Sequence, residues 1–261
     1  MHAALWVSKT GLSAQDTMLT TISNNLANVA TTGFKRDRPE FEDLLYQIKR
    51  QPGGQTTQDT QLPSGLQLGT GVKVAGTQKI FTMGSLQTTE QPLDMAINGR
   101  GFFQILMPDG NIGYTRDGSF HLDSEGQIVT SSGFPLEPGI ALPDNVQSFT
   151  VGEDGTVSIT VFGDPGVQQI GNIQTADFIN PTGLQAIGNN LFLETASSGA
   201  PQVGNPGQNG LGAVLQNTLE NSNVSVVEEL VNMITTQRAY EMNSKVISTA
   251  DQMLQYVSQN L

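Results

Sequence analysis

The chain has 261 residues and carries 24 acidic against 12 basic side chains, a formal net charge of −12. That is long enough for one large or two small domains with a sizeable core, and too poor in clustered cations for a nucleic-acid partner. There is no cysteine and there are two histidines, His2 and His121, which excludes disulfides, thiolate metal sites, cysteine nucleophiles and a His-rich metal site.

Gly and Pro divide the chain into three. Residues 1–50 hold Gly11, Gly33 and Pro39, residues 213–261 hold neither type, and the rest fall between. Because glycine frees φ and proline fixes it, both ends can be helical and the middle should be rich in turns. No apolar run approaches the ~18 residues of a membrane span. The N-terminus lacks the basic-then-apolar pattern of a classical secretory signal.

In the first segment Leu5, Leu12, Leu19 and Leu26 recur every seven residues, with Ser8, Gln15, Ile22 and Val29 three residues after each. Late in the segment both series are apolar, a 3-4 seam of the coiled-coil kind. A helix of ~28 residues would be ~42 Å long, too long to lie fully on a small β-domain.

Residues 46–65 are rich in Gln, Thr, Gly and Pro and poor in apolar residues. Alone they cannot bury enough surface to offset their ordering entropy, so they read as a linker or as a segment that orders against a partner. Residues 66–212 show short apolar or alternating runs at Val72–Ala75, Phe102–Met107, Gly126–Thr130, Val157–Phe162 and Leu191–Glu194. Asp-Gly and Pro-Asp-Gly turns separate them, as in an antiparallel β-domain.

The last segment, about Asn221 to Gln259, carries one apolar stripe at near-helical spacing: Val227, Val231, Ile234, Met242, Val246, Ala250, Met253 and Val257, widened by Leu230, Ile247 and Leu254. Arg238 interrupts it. Ser225 and Glu228 have capping-box spacing. The fold class is therefore α+β, an antiparallel β-domain between long terminal helices that must pair with each other or with other copies.

No chemistry stands out. Asp109, Asp117, Asp123 and Glu125 each lie within three residues of a turn glycine, and turn chemistry accounts for them. His121 alternates with Phe120 and Leu122 in a strand. Asn98-Gly-Arg-Gly101 lacks the third glycine and the following helix of a dinucleotide site. No catalytic, cofactor-binding or metal residue is assigned, and no cofactor is expected.

Two further runs are more specific. Ser23-Asn-Asn-Leu-Ala-Asn28 with Ala30-Thr-Thr-Gly-Phe-Lys35, and Leu219-Glu-Asn-Ser-Asn-Val224 with Thr236-Gln-Arg-Ala-Tyr-Glu-Met-Asn243, resemble the terminal signatures of the flagellar basal-body rod and hook axial proteins. Asn98-Gly-Arg-Gly-Phe-Phe103 and Tyr114-Thr-Arg-Asp-Gly-Ser-Phe-His-Leu-Asp123 resemble the β-domain of the same family. The length, the aromatic opening Met1-His-Ala-Ala-Leu-Trp6 and the 46–65 insertion are most similar to its distal rod branch.

The resemblance implies four segments: 1–45 helical and axial, 46–65 an extended insertion packing between subunits, 66–214 a β-rich outer domain, and 215–261 helical and pairing with 1–45 as a coiled coil. It implies a non-enzymatic subunit of a straight, rigid helical tube that transmits motor torque to the hook and passes exported subunits. Assembly falls to Leu5, Leu12, Leu19, Ile22, Leu26, Val29, Val227, Leu230, Val231, Ile234, Met242, Val246 and Met253. Asn24, Asn25, Asn28, Thr32, Gly33, Phe34, Arg238 and Tyr240 carry the motif. Gly33 can take positive φ where the helix ends, and the asparagines can bond turn backbone. Tyr46, Gln47, Pro52, Gly53, Gly54, Leu62 and Pro63 belong to the stiffening insertion.

The partners implied are other copies of the chain, the proximal rod proteins, the hook protein, the surrounding P- and L-ring proteins and the flagellar export apparatus. The place implied is the periplasm-spanning rod, reached without a cleaved signal peptide. The alternatives are a proximal rod protein of the same family and a secreted cell-wall-binding β module. Against the latter stand the few aromatics and the placement of Trp6 on a terminal helix.

Overall fold

A computed structural model describes every residue except 1, 54, 58, 59, 62, 144, 260 and 261. Gly54 and Leu62 therefore lie outside the described residues. The chain divides into two compact units. One comprises residues 1–26, 37–78 and 225–261, the other 27–36 and 79–224.

The first unit contains both long helices, α1 (His2–Ala27) and α2 (Val226–Gln259). The helical part of the N-terminal segment thus stops well before residue 45, because a strand runs from Asp37 to Asp43. The two helices touch. Asn25 Nδ2 donates to Glu229 Oε1 at 3.4 Å, and a Cβ at Gly11 would lie 3.1 Å from Asn243 Nδ2. Moving down α1 from 25 to 11 moves up α2 from 229 to 243, so the helices run antiparallel. The residues at these contacts are small or polar, and not the leucine heptad. In α1 Ser8, Ala14, Ile22 and Asn25 are buried, and in α2 Glu229, Thr236 and Ala250.

Strand Asp37–Asp43 pairs with Val72–Lys79. The insertion between them is a β-ribbon. Gln47–Arg50 pairs antiparallel with Leu66–Leu68, and Gln55–Thr57 with Thr60–Gln61. A segment this poor in apolar residues satisfies its backbone groups by pairing with itself.

The second unit is built on an antiparallel sheet of seven strands among the described residues. Its order is 185–188, 191–193, 112–115, 102–106, 175–177, 202–204, with 136–137 also on 102–106. Side chains alternate across a strand, so Phe103 and Ile105 enter one core cluster while Phe102 and Tyr114 enter another. Both faces of the sheet are therefore covered. Edge-to-face ring pairs hold the second cluster, with Tyr114 and Phe178 4.8 Å apart and Phe81 and Phe102 5.4 Å apart. A three-stranded meander (146–151, 156–161, 164–172), a hairpin (120–122, 128–130) and the antiparallel pairs 95–98 with 213–216 and 86–88 with 218–220 lie in the same unit. The strand runs expected from alternation near residues 72, 102, 128, 157 and 191 all form strands.

Candidate assembly surface

Much of the stripe expected on α2 lies in solvent, while Ala250 is buried. Val227 is 73% exposed, Met242 64%, Met253 59%, Val231 54% and Ile234 49%, with Leu230 and Val246 also exposed. These side chains lie along one side of a surface helix, in an apolar strip that Arg238 interrupts. Single exposed apolar residues need no explanation; a contiguous row marks an interaction site. On α1 the partner series is less exposed: Leu5, Leu12, Leu19 and Leu26 are half-buried and Ile22 is buried, and Val29, past the helix end, is half-buried too.

A groove of about 460 Å³ opens within the same unit, lined by Ala14, Met18, Phe41, Val72 and Ala239 with Gln15, Thr235 and Thr236 among them. Arg238 and Tyr240 are exposed on α2. On the ribbon, Tyr46, Gln47, Pro52, Gly53 and Pro63 are exposed, beside Leu45, Ile48, Leu66 and Leu68, which are exposed as well.

Among the motif asparagines, Asn25 acts on backbone as well as on Glu229. Asn25 grips Asp37 in both directions: its Nδ2 donates to the Asp37 carbonyl at 2.9 Å, and the Asp37 N–H donates to its Oδ1 at 2.8 Å. Asn28 accepts from the Thr31 hydroxyl at 3.1 Å, and Thr31 N–H donates to its carbonyl at 3.2 Å. Asn24 is exposed. In the second unit the Thr32 carbonyl accepts from Asn190 Nδ2 at 3.1 Å. Gly33 has φ +67°, and a Cβ there would stand 2.6 Å from the Arg116 carbonyl carbon. Both facts require glycine. Phe34 lies beneath Lys79, whose Nζ is 5.1 Å from the ring centroid.

Sequence reading missed a buried charge cluster. Lys35, Glu220 and Arg116 are all nearly sealed from solvent. Lys35 Nζ pairs with Glu220 Oε1 and donates to the Thr82 carbonyl at 2.9 Å. Arg116 Nη1 reaches Glu220 Oε2 at 3.2 Å, and the Gly84 N–H donates to Glu220 Oε1 at 2.9 Å. Burial pushes the Lys35 ammonium below the ordinary lysine range, against the pull of Glu220. Burial likewise lowers Arg116. The available signal was that each charge sits inside a signature run, Gly33-Phe-Lys35, Tyr114-Thr-Arg116 and Leu219-Glu220.

Comparison with known proteins agrees with this layout. Residues 5–35 match the family model of flagella basal body rod proteins, residues 96–159 that of the flagellar hook protein FlgE/F/G D1 domain, and residues 215–260 that of the flagellar basal body rod FlgEFG protein C-terminal region. The chain is 55% identical over 259 residues to the flagellar basal-body rod protein FlgG of Buchnera aphidicola subsp. Schizaphis graminum, covering 99% of this chain and 100% of the relative. It is 49% identical over 257 residues to that of Caulobacter vibrioides, with 98% of each covered. To that of Bacillus subtilis it is 38% identical over 262 residues, covering 98% of this chain and 97% of the relative. With full-length identity at this level, the chain belongs to the FlgG family of flagellar basal-body rod proteins.

Proposed function

We propose that copies of this chain stack through heterologous contacts into an open helical array, forming the distal rod of the basal body as a straight, stiff tube that carries motor torque to the hook and passes exported subunits. As a member of the family the chain is a structural subunit of the rod that spans the periplasm. In this reading α1 and α2, the helical parts of 1–45 and 215–261, pair as a coiled coil and line the tube, 46–65 packs between neighbours, and the contacts at the rod's ends are to proximal rod and hook proteins. The ring proteins surround it and the flagellar export apparatus delivers it.

The observation that carries the reading is the exposed stripe from Val227 to Met253. Burying apolar surface is worth ~25 cal/mol per Å², so many copies covering one such stripe each gain a large driving force for assembly. The test compares the full chain with a Val231→Glu/Ile234→Glu/Val246→Glu variant by sedimentation and negative-stain microscopy. Because these positions are exposed, the variant should keep its circular dichroism. The natural chain should form straight tubes and the variant should stay monomeric; equal polymerisation of both would remove the stripe from the interface.

A further inference from the structure

The dipeptide Asn-Gly occurs twice in the chain, as Asn98-Gly99 and Asn209-Gly210. It is a self-reactive pair. The glycine backbone nitrogen can attack the carbonyl carbon of the asparagine side chain, and glycine sets no Cβ in the way. Whether it does so depends on how firmly the backbone is held.

The two copies sit in opposite circumstances. Asn98 ends strand 95–98, where it pairs with Ala213. Gly212 packs so close that a Cβ on it would lie 2.6 Å from the Asn98 carbonyl oxygen. Arg116 Nη2 donates to the Gly99 carbonyl. Asn209 and Gly210 are instead the two central residues of a turn closed by the Leu211 N–H, which donates to the Gln208 carbonyl at 2.9 Å. Both have positive φ, +53° and +84°, as Asn-Gly does in a tight turn. Among the described residues the Gly210 N–H donates no hydrogen bond and the Asn209 amide makes none. Both residues are exposed. A Cβ at Gly207 or Gly210 would meet nothing within 4 Å, so the turn has room to rotate.

We propose that Asn209 is a site of spontaneous covalent modification in the folded chain, and that Asn98 is protected from the same reaction. The Gly210 nitrogen bonds to Asn209 Cγ. The bond from Cγ to the side-chain nitrogen breaks, and that nitrogen leaves as ammonia with the proton the glycine gives up. Water then opens the five-membered imide at either carbonyl, giving aspartate or isoaspartate. The net change exchanges the amide NH2 for OH and adds one carboxylate, with water the only reactant. Aspartate tolerates the left-handed region, so that product keeps the turn. Isoaspartate routes the backbone through the side-chain carbon and lengthens the turn. Its closing bond is lost beside Leu211, whose side chain is buried.

The natural full chain is incubated in neutral buffer made with heavy-oxygen water, folded and in concentrated guanidinium chloride, and sampled over weeks by peptide mass spectrometry. In the folded chain Asn209 should convert at least tenfold faster than Asn98, to a mixture of aspartate and isoaspartate carrying the heavy oxygen. In denaturant the two rates should approach each other, because the backbone that protects Asn98 is released. Equal rates at the two sites in the folded chain overturn the proposal. Conversion of Asn209 in denaturant but not in the folded chain overturns it too, since the turn would then protect. Aspartate without isoaspartate excludes the imide and overturns the attack by Gly210.

Discussion

Lys35 and Glu220 are 185 positions apart in sequence and share a hydrogen-bonded ion pair sealed from solvent. The contact joins the segment that follows α1 to the strand that precedes α2. Glu220 also bonds Arg116 and the Gly84 N–H. One carboxylate therefore compensates two buried cations, an arrangement that holds only while it is complete. Asn223 adds to the same junction, with its Oδ1 accepting from the Arg36 N–H at 2.8 Å and its Nδ2 donating to the Ile80 carbonyl at 2.7 Å.

Removing the carboxylate strips two buried cations of the charge that both contact. Glu220→Gln should lose about 3–5 kcal/mol of monomer stability in urea titration, the range for breaking a buried pair from one side. A loss below ~1 kcal/mol would show that water or another group compensates the cations. Lys35→Met, which leaves Arg116 on Glu220, should lose less.

Gly33 and Gly53 both have positive φ, +67° and +76°, but differ in space. A Cβ at Gly33 would strike the backbone at Arg116 and Asp117, whereas one at Gly53 meets nothing within 4 Å. Gly53→Ala should cost only the ~1 kcal/mol of left-handed strain. Gly33→Ala should cost at least twice that. Equal midpoints for the two variants would refute the close-approach argument.

The two-way bond of Asn25 to Asp37 should be the main tether of the strand start to α1. Asn25→Ala should lose ~1–3 kcal/mol, as for a buried hydrogen-bonded side chain removed from its partners. Amide exchange at Asp37 reads it directly. Protection there that survives the substitution would place the tether elsewhere.

Burial, with the nearby Glu194 carboxylate, pushes the Tyr114 phenol up to about 12. In the unfolded chain the phenol ionises near 10. Between those values the unfolded state binds fewer protons than the folded one, so stability falls as pH rises through that window. Tyr114→Phe should flatten this part of the stability–pH curve relative to the natural chain. Parallel curves from pH 9 to 12 would exclude a raised phenol.

The ribbon at 47–68 is the local feature to which rod stiffness is assigned. Deleting residues 46–65 should leave the helices and the β-unit folded, because among the described residues the ribbon's strands pair within 47–68, and should yield tubes that bend. Deleted tubes that stay straight in electron micrographs would free the insertion of that role.

Much of this was legible in the residues because it is local. Helical periodicity in α2, turn glycines between the strands and alternation from Phe102 to Leu106 are short-range consequences of backbone geometry. Gly33 was readable as a left-handed position for the same reason, and the strand runs near 102, 157 and 191 needed no tertiary information. The family motifs added the likeness to axial proteins.

What the tertiary structure alone decided is which groups meet across long sequence separations. The leucine heptad of α1 suggested a helix seam, and the structure adds contacts at Gly11, Asn25, Glu229 and Asn243 that no apolar period announces. Small and polar residues let helix backbones approach where a leucine would hold them apart, and period alone does not reveal which of two faces lies inward. Residues 46–65 read as a linker or as a segment ordering against a partner, and the described ones pair as a ribbon because backbone pairing needs no apolar side chains. The Lys35–Glu220–Arg116 cluster was invisible for a simpler reason: a charged residue reads as solvated until its partners, 104 and 185 positions away, are brought together and water is driven out.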